Sequence, residues 1–234
     1  MASLNDLEEA LGVEFKKEAL LKEALTHRSY LNEHPRWSAR DNERLEYLGD
    51  AVLELAVTEF LFNTYSDEEE GKLTSIRAAL VNYQMLARVA RDLSLERYLY
   101  LSRGEAKDAG RAREVILANA VEAVLGAVYL DRGYETAKRV VGRVVLTHLD
   151  EVMERKLYRD PKSVLQEVVQ EELKTTPSYR VLREEGPDHD KRFVVGVFFG
   201  GRQAADGEGP SKQEAEARAA QAALESLSNK ENHH

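Results

Sequence analysis

Apolar residues recur at helical spacing through the first two thirds of the chain, and then the period changes. Over Asp41–Tyr65 (DNERLEYLGDAVLELAVTEFLFNTY), Leu45, Leu48, Val52, Leu55, Ala56 and Phe60 share one face, which predicts a long amphipathic helix. Asp41 or Asn42 is its expected N-cap. Gly71–Leu93 carries the same pattern through Leu73, Ile76, Leu80, Tyr83, Leu86 and Val89, so another helix is expected there. Arg113–Leu130 is apolar around most of its circumference, the signature of a helix in the middle of a bundle. Gly133 ends that run, and Tyr134–Lys156 begins a further amphipathic helix. No long alternating strand pattern occurs in this half.

From Asp160 onward the reading differs. Pro161–Leu173 forms a short amphipathic pattern with proline suited to its first turn. Ser178–Glu185, Arg192–Phe199 and Arg202–Glu208 read as strands, with Pro187 and Gly200–Gly201 supplying the turns. Ser211–Ser228 closes as a helix, Ser211 capping it and Glu214 completing a capping box, and Asn229–His234 is expected to fray. The expectation is therefore an all-α domain over residues 1–157 and a small α+β domain of α-β-β-β-α order over residues 158–234. The connection near Leu157–Asp160 is short and not rich in Gly or Ser, which argues against a fully flexible linker.

Composition narrows the chemistry. The 234 residues suffice for two domains. Cysteine is absent, which excludes disulfides and thiolate metal sites, so any metal must be held by oxygen or imidazole. The six histidines show no metal-ligand spacing. No apolar run approaches the roughly 20 residues of a membrane helix, and the opening MASLNDLEEALGVEF does not read as a secretory signal. A cytoplasmic protein without a membrane partner is expected. The net charge of −9 argues against general affinity for a polyanion. Dividing the chain does not change this: residues 1–160 hold 23 basic and 29 acidic side chains, and residues 161–234 hold 10 and 13. Any grip on nucleic acid must come from local placement.

Within the long helix, Glu46 and Asp50 are four residues apart and share a face, with Glu43 three residues before Glu46. In the apolar run ILANAVEAVLGAVYL, Asn119 and Glu122 are three apart and also share a face. A carboxylate in such a run costs several kcal/mol unless charge compensates it. Two explanations are open. The carboxylates pair with arginines such as Arg44, Arg77 or Arg113, or two helices converge their oxygen ligands on divalent cations, which favour carboxylate and water oxygens.

The segment Asn42–Leu53 (NERLEYLGDAVL) closely resembles the signature of the ribonuclease III nuclease domain. Thr26–Glu33, Glu69–Asn82 and Leu101–Gly133 resemble other segments of that family in the family's order, so the likeness runs from about residue 5 to 228. The resemblance implies metal ligands at Glu46, Asp50, Asn119 and Glu122, with Asp50 and Glu122 the central catalytic carboxylates. Glu43 and Glu70 fall on acids beside that set or close to the RNA. It implies two-metal, Mg²⁺-dependent hydrolysis of double-stranded RNA, with Mn²⁺ able to substitute and no small-molecule cofactor. The implied products carry 5′-phosphate and 3′-hydroxyl ends, and the implied role is processing of rRNA and mRNA precursors. One departure stands out. The family most often has aspartate where this chain has Asn119, whether as natural variation or as a replacement that traps an uncut complex. An amide oxygen brings no charge, so weaker Mg²⁺ binding and reduced activity are expected.

The second half resembles the double-stranded-RNA-binding domain: Asp160–Gln170 its first helix, Gly186–Phe193 its first strand loop, Gly209–Leu224 its second helix with the preceding loop. The likeness implies that Ser163, Gln166 and Gln170 meet the minor groove, where neutral hydrogen-bonding groups suit 2′-hydroxyls and base edges. His189 would enter a second minor groove, and Lys212 would meet the intervening phosphates. The family's second helix opens with several basic residues, whereas Lys212 is followed here by Gln213 and Glu214, so modest affinity with a shallow salt slope is expected. The family acts as a symmetric homodimer with one acidic site per strand, and Tyr47 and the THRSYL segment are the candidates for contact across the two-fold axis, against an intramolecular core role. The competing function is a non-cleaving double-stranded-RNA-binding protein with a degenerate metal site. The acidic set discriminates: three of the four positions here remain carboxylates.

Overall fold

A computed structural model of the chain describes residues 3–107, 110–186 and 191–231. The chain divides into two compact units, Met1–Tyr158 and Arg159–His234. Among the described residues, no helix is long and apolar enough to cross a membrane.

The first unit is helical: α1 (Leu4–Leu11), α2 (Glu18–Ala24), α3 (Arg28–Glu33), α4 (Glu43–Thr64), α5 (Glu70–Val81), α6 (Tyr83–Asp92), α7 (Arg111–Arg132), α8 (Tyr134–Val144) and α9 (Leu149–Glu154). Short 3₁₀ turns lie at Leu95–Arg97, Glu105–Lys107 and Leu146–His148. Outside the named strands, an isolated parallel bridge joins Thr26 to Tyr100. The core runs through Leu7, Leu21, Leu53, Ile76, Leu86 and Leu125, all fully buried or nearly so. As its composition predicts, α7 is buried on most sides, every residue from Ala123 to Val128 being inaccessible. Truncating one of these large side chains to Ala would cost roughly 2–5 kcal/mol.

Two expected helices are interrupted. The pattern over Gly71–Leu93 predicts one helix, but Asn82 takes an extended conformation (φ −68°, ψ 159°) and separates α5 from α6. Its side-chain oxygen accepts from Met85 N at 2.9 Å, capping α6, while its amide donates to Ala78 O and Ala79 O at 3.1 Å, closing α5. Both helices face the same core, so the apolar period runs through the break. Likewise Tyr134–Lys156 is α8, a 3₁₀ turn and α9 rather than one helix. The predicted core face of α4 is also corrected. Leu45, Val52 and Ala56 are buried as expected, together with Gly49, Leu53, Val57 and Leu61. Leu48 and Phe60 are half-buried, and Leu55 is 55% exposed. The buried arc of α4 is rotated because α7 packs along its glycine side. At the N-terminus of α4, Asp41 Oδ1 accepts from Glu43 N at 3.3 Å, while the buried Asn42 amide instead donates to Ala24 O.

The second unit has the expected order: α10 (Pro161–Leu173), β1 (Ser178–Glu185), β2 (Arg192–Phe199), β3 (Arg202–Gly209) and α11 (Lys212–Glu231). The last helix continues past Ser228, where fraying was expected. The sheet is antiparallel in the order β1-β2-β3. Gly200 and Gly201, at φ 54° and 88°, make the two-residue β2–β3 turn, which needs left-handed conformations at both positions. Asp160 caps α10 by accepting from Ser163 N at 3.1 Å, and Ser211 caps α11 by accepting from Glu214 N at 3.2 Å. Leu165 and Val169 of α10, Val197 of β2 and Ala219, Ala220 and Ala223 of α11 form the core. A Cβ on Gly207 would lie 2.3 Å from Ala219 N, so α11 rests directly on the β3 backbone.

Candidate metal centre and nucleic-acid interface

Two glycines bring the acidic residues together. A Cβ built on Gly49 of α4 would lie 1.7 Å from Glu122 O of α7, and one on Gly126 would lie 2.3 Å from Leu45 O. Only hydrogen fits at these positions, so the two helix backbones touch. Glu46 and Asp50 flank Gly49, while Glu122 and Asn119 lie one turn and two turns before Gly126. The crossing therefore sets two side chains from each helix beside the other two.

Electrostatics register this proximity. Burial pushes the Glu122 carboxyl up to about 8, and the charges of Asp50 and Glu46 add to that rise. Burial also raises Glu46, with Glu43 and Asp50 contributing, while a hydrogen bond from the Asn119 amide offsets part of it. The arginine alternative does not hold among the described residues. Arg77 pairs with Glu54 at 2.9 Å, Arg113 Nη1 is buried without a partner, and no Lys, Arg or His forms a salt bridge with Glu46, Asp50 or Glu122. Nor, among those residues, do three His, Asp or Glu side chains stand in a chelating arrangement. The carboxylates are close enough to raise one another's pKa without standing in a chelating geometry. In chemistry, three carboxylates and one amide fit a hard divalent cation, which would offset the charge that burial penalises.

The remaining expected residues divide. Glu43 lies close enough to influence Glu46, and Arg28 donates to its carboxylate at 3.1 Å. Glu70 stands at the start of α5, accepts from Thr74 Oγ1 at 2.8 Å, and lines a cavity of about 400 Å³ with Thr58, Phe62 and Arg77. Tyr47 is 84% exposed, which removes the core alternative. Leu55 and Phe62, 55% and 72% exposed, continue its stripe along α4 at helical spacing. In the second unit, Ser163, Gln166 and Gln170 are exposed on one face of α10, away from the buried Leu165 and Val169. Lys212 Nζ lies 2.9 Å from Glu184 and 5.4 Å from the Phe193 ring centroid. His189 lies outside the described residues. Sequence reasoning passed over Gly49 and Gly126, although a glycine inside a helix costs about 1 kcal/mol against alanine and so signals a reason for being there.

An all-helical unit that brings three carboxylates and an amide together is joined to an α-β-β-β-α unit with a polar helix face. The chain matches the family described as Ribonuclease-III-like over residues 17–149 and the double-stranded RNA binding motif over residues 161–227. A protein named Ribonuclease 3 from Symbiobacterium thermophilum is 51% identical over 217 residues, covering 92% of this chain and 91% of that one. Another of that name from Dehalococcoides mccartyi (strain CBDB1) is 42% identical over 229 residues, covering 98% and 97%. The nuclease domain of ribonuclease III from Campylobacter jejuni, in which a region involved in dimer formation is flexible, matches with a TM-score of 0.56 and 40% identity. That match covers 62% of this chain and 97% of the Campylobacter chain. The chain belongs to the ribonuclease III family.

Proposed function

We propose that this chain is a metal-dependent endoribonuclease that cuts double-stranded RNA as a homodimer. The observation that carries the reading is the backbone contact of α4 with α7, which couples Glu46, Asp50, Asn119 and Glu122 at one spot where, among the described residues, no cationic side chain pairs with the three carboxylates. Family membership and relatives named Ribonuclease 3 support it.

In this reading, Asp50 and Glu122 are the central ligands of two Mg²⁺ ions, Glu46 and Asn119 complete the set, and Mn²⁺ substitutes. When bound, the cations supply Lewis-acid stabilisation of the phosphodiester and a more acidic water for in-line attack, leaving 5′-phosphate and 3′-hydroxyl ends. The chain's own residues do the positioning. The Asn119 amide beside Glu46 favours the charged form of that carboxylate. Glu43, held by Arg28, adds negative charge beside it. Glu70 is the outlying acid facing RNA. Ser163, Gln166 and Gln170 approach the minor groove and Lys212 the phosphates, and His189 reaches a second minor groove. Tyr47, Leu55 and Phe62 form an apolar stripe suited to a self-complementary two-fold contact, which gives one site per strand. Stems in rRNA and mRNA precursors are the substrates, in the cytoplasm.

The test is incubation of a long perfect RNA duplex with the chain in Mg²⁺ and in EDTA, beside Glu122→Gln. Cleavage with Mg²⁺ alone, lost in the variant while duplex binding persists, is the expected result. Cleavage in EDTA, or an active Glu122→Gln, would overturn the reading, and duplex binding without cleavage would leave the RNA-binding alternative.

A further inference from the structure

The second unit holds more acids than bases, and its cations are largely engaged. Arg192 pairs with Glu208 at 3.0 Å, Arg218 with Glu214 at 2.7 Å, Arg183 with Glu185 at 2.8 Å, Lys162 with Glu216, and Arg159 with Glu167. Glu184 differs from these acids because it joins groups from three separate segments. One oxygen of this β1 residue lies 2.9 Å from Lys212 Nζ, at the first position of α11, and the other lies 4.0 Å from Lys191 Nζ, just before β2. The Phe193 ring also attends the Lys212 ammonium. The Glu184 carboxylate is thus an anion held by two lysines near the N-terminus of a 20-residue helix, where the helix dipole favours negative charge. An RNA phosphate calls for those same partners.

We propose that Glu184 is a built-in competitor for RNA phosphates, which occupies Lys212 and Lys191 and sets the affinity of this domain for duplex RNA. This rests on the reading that the domain binds double-stranded RNA, and it gives that reading a cause for modest affinity within the fold. The Glu184 and Lys212 side chains are 38% and 56% exposed, so the pair competes with phosphate for the lysine without excluding RNA from the domain. Each lysine that stays with Glu184 is one phosphate contact forgone, and each contact contributes about 0.9 to the slope of log K against log salt.

The experiment measures binding of the full chain, in EDTA so that nothing is cut, to a perfect RNA duplex longer than the roughly 16 base pairs one such domain spans. Glu184→Gln and Glu184→Ala are expected to bind several-fold tighter than the unaltered chain, with a salt slope steeper by about 1 to 2. Glu225→Gln removes the same charge from a carboxylate that accepts from Gln221, and so measures the long-range share of the gain. In a Lys191→Ala/Lys212→Ala background, Glu184→Gln is expected to add nothing beyond that share. A gain no larger than that of Glu225→Gln, or one that persists without the two lysines, overturns the proposal while RNA binding stands. Absence of duplex binding by every form, the unaltered chain included, overturns the RNA reading and the proposal with it.

Discussion

Gly49 of α4 and Gly126 of α7 meet backbone to backbone: a Cβ on Gly49 would stand 2.9 Å from Gly126 N, and one on Gly126 would stand 3.1 Å from Gly49 N. The neighbouring atoms are main chain and cannot rotate away. Gly49→Ala must therefore separate the helices, and a loss of roughly 3 kcal/mol is expected from this overpacking. Urea unfolding measures it, and a change below about 0.5 kcal/mol would contradict the contact. Cleavage should fall further than stability accounts for, because the same separation spreads Glu46 and Asp50 from Asn119 and Glu122.

Asn119→Asp adds a fourth carboxylate to a set that has no cationic partner among the described residues. In EDTA its melting temperature should fall below that of the unaltered chain, because like charges repel at short range. With Mg²⁺ the order should reverse, with binding on the order of tenfold tighter, since ligand charge tunes divalent affinity. Melting curves across a Mg²⁺ titration read both effects. Equal Mg²⁺ dependence in the two forms would remove Asn119 from the ligand set.

The exposed stripe of Tyr47, Leu55 and Phe62 gives the oligomeric state a specific test. Tyr47→Ala combined with Phe62→Ser should weaken self-association by at least tenfold, measured by sedimentation equilibrium, with little change in the melting of the monomer. These side chains touch little of their own core, so a large intrinsic destabilisation would point to an intramolecular role instead.

Glu59 of α4 accepts from Lys138 Nζ at 2.8 Å and from Tyr134 OH at 2.6 Å, both on α8. The Lys138 hydrogen bond, and then that of Tyr134, hold the carboxyl below the usual range near 4.5. A depressed folded-state pKa stabilises above the unfolded value, and that contribution is lost as pH falls through the folded value. Glu59→Gln should therefore melt lower than the unaltered chain at pH 7, and the gap should close as pH drops below about 4.5. A gap that stays constant from neutral to acid pH would show that the charge plays no part.

Much of the fold was legible because local chemistry carries it. The second unit follows its turn residues closely: β1 and β2 span the predicted residues, and β3 runs one residue longer. Glycines at the β2–β3 turn, Asp160 before Pro161 and Ser211 before α11 each act on their own neighbours in the chain. The break at Asn82 was hidden for the converse reason. Its two helices bury faces against a common core, and periodicity reports burial rather than continuity.

Spacing along one helix put Glu46 with Asp50, and Asn119 with Glu122, because the helical repeat is a local property of the chain. That α4 and α7 are neighbours is not local, and it follows from packing two glycine-notched surfaces against each other. Exposure of Leu55 and Phe62 was decided in the same way, by which arc of α4 the crossing consumed. The pairing of Glu184 with Lys212 belongs here too, since it requires α11 to lie on the sheet. Hydrophobic period and turn chemistry act over a few residues and can be read from sequence, whereas close approach between distant segments exists only once the chain has folded.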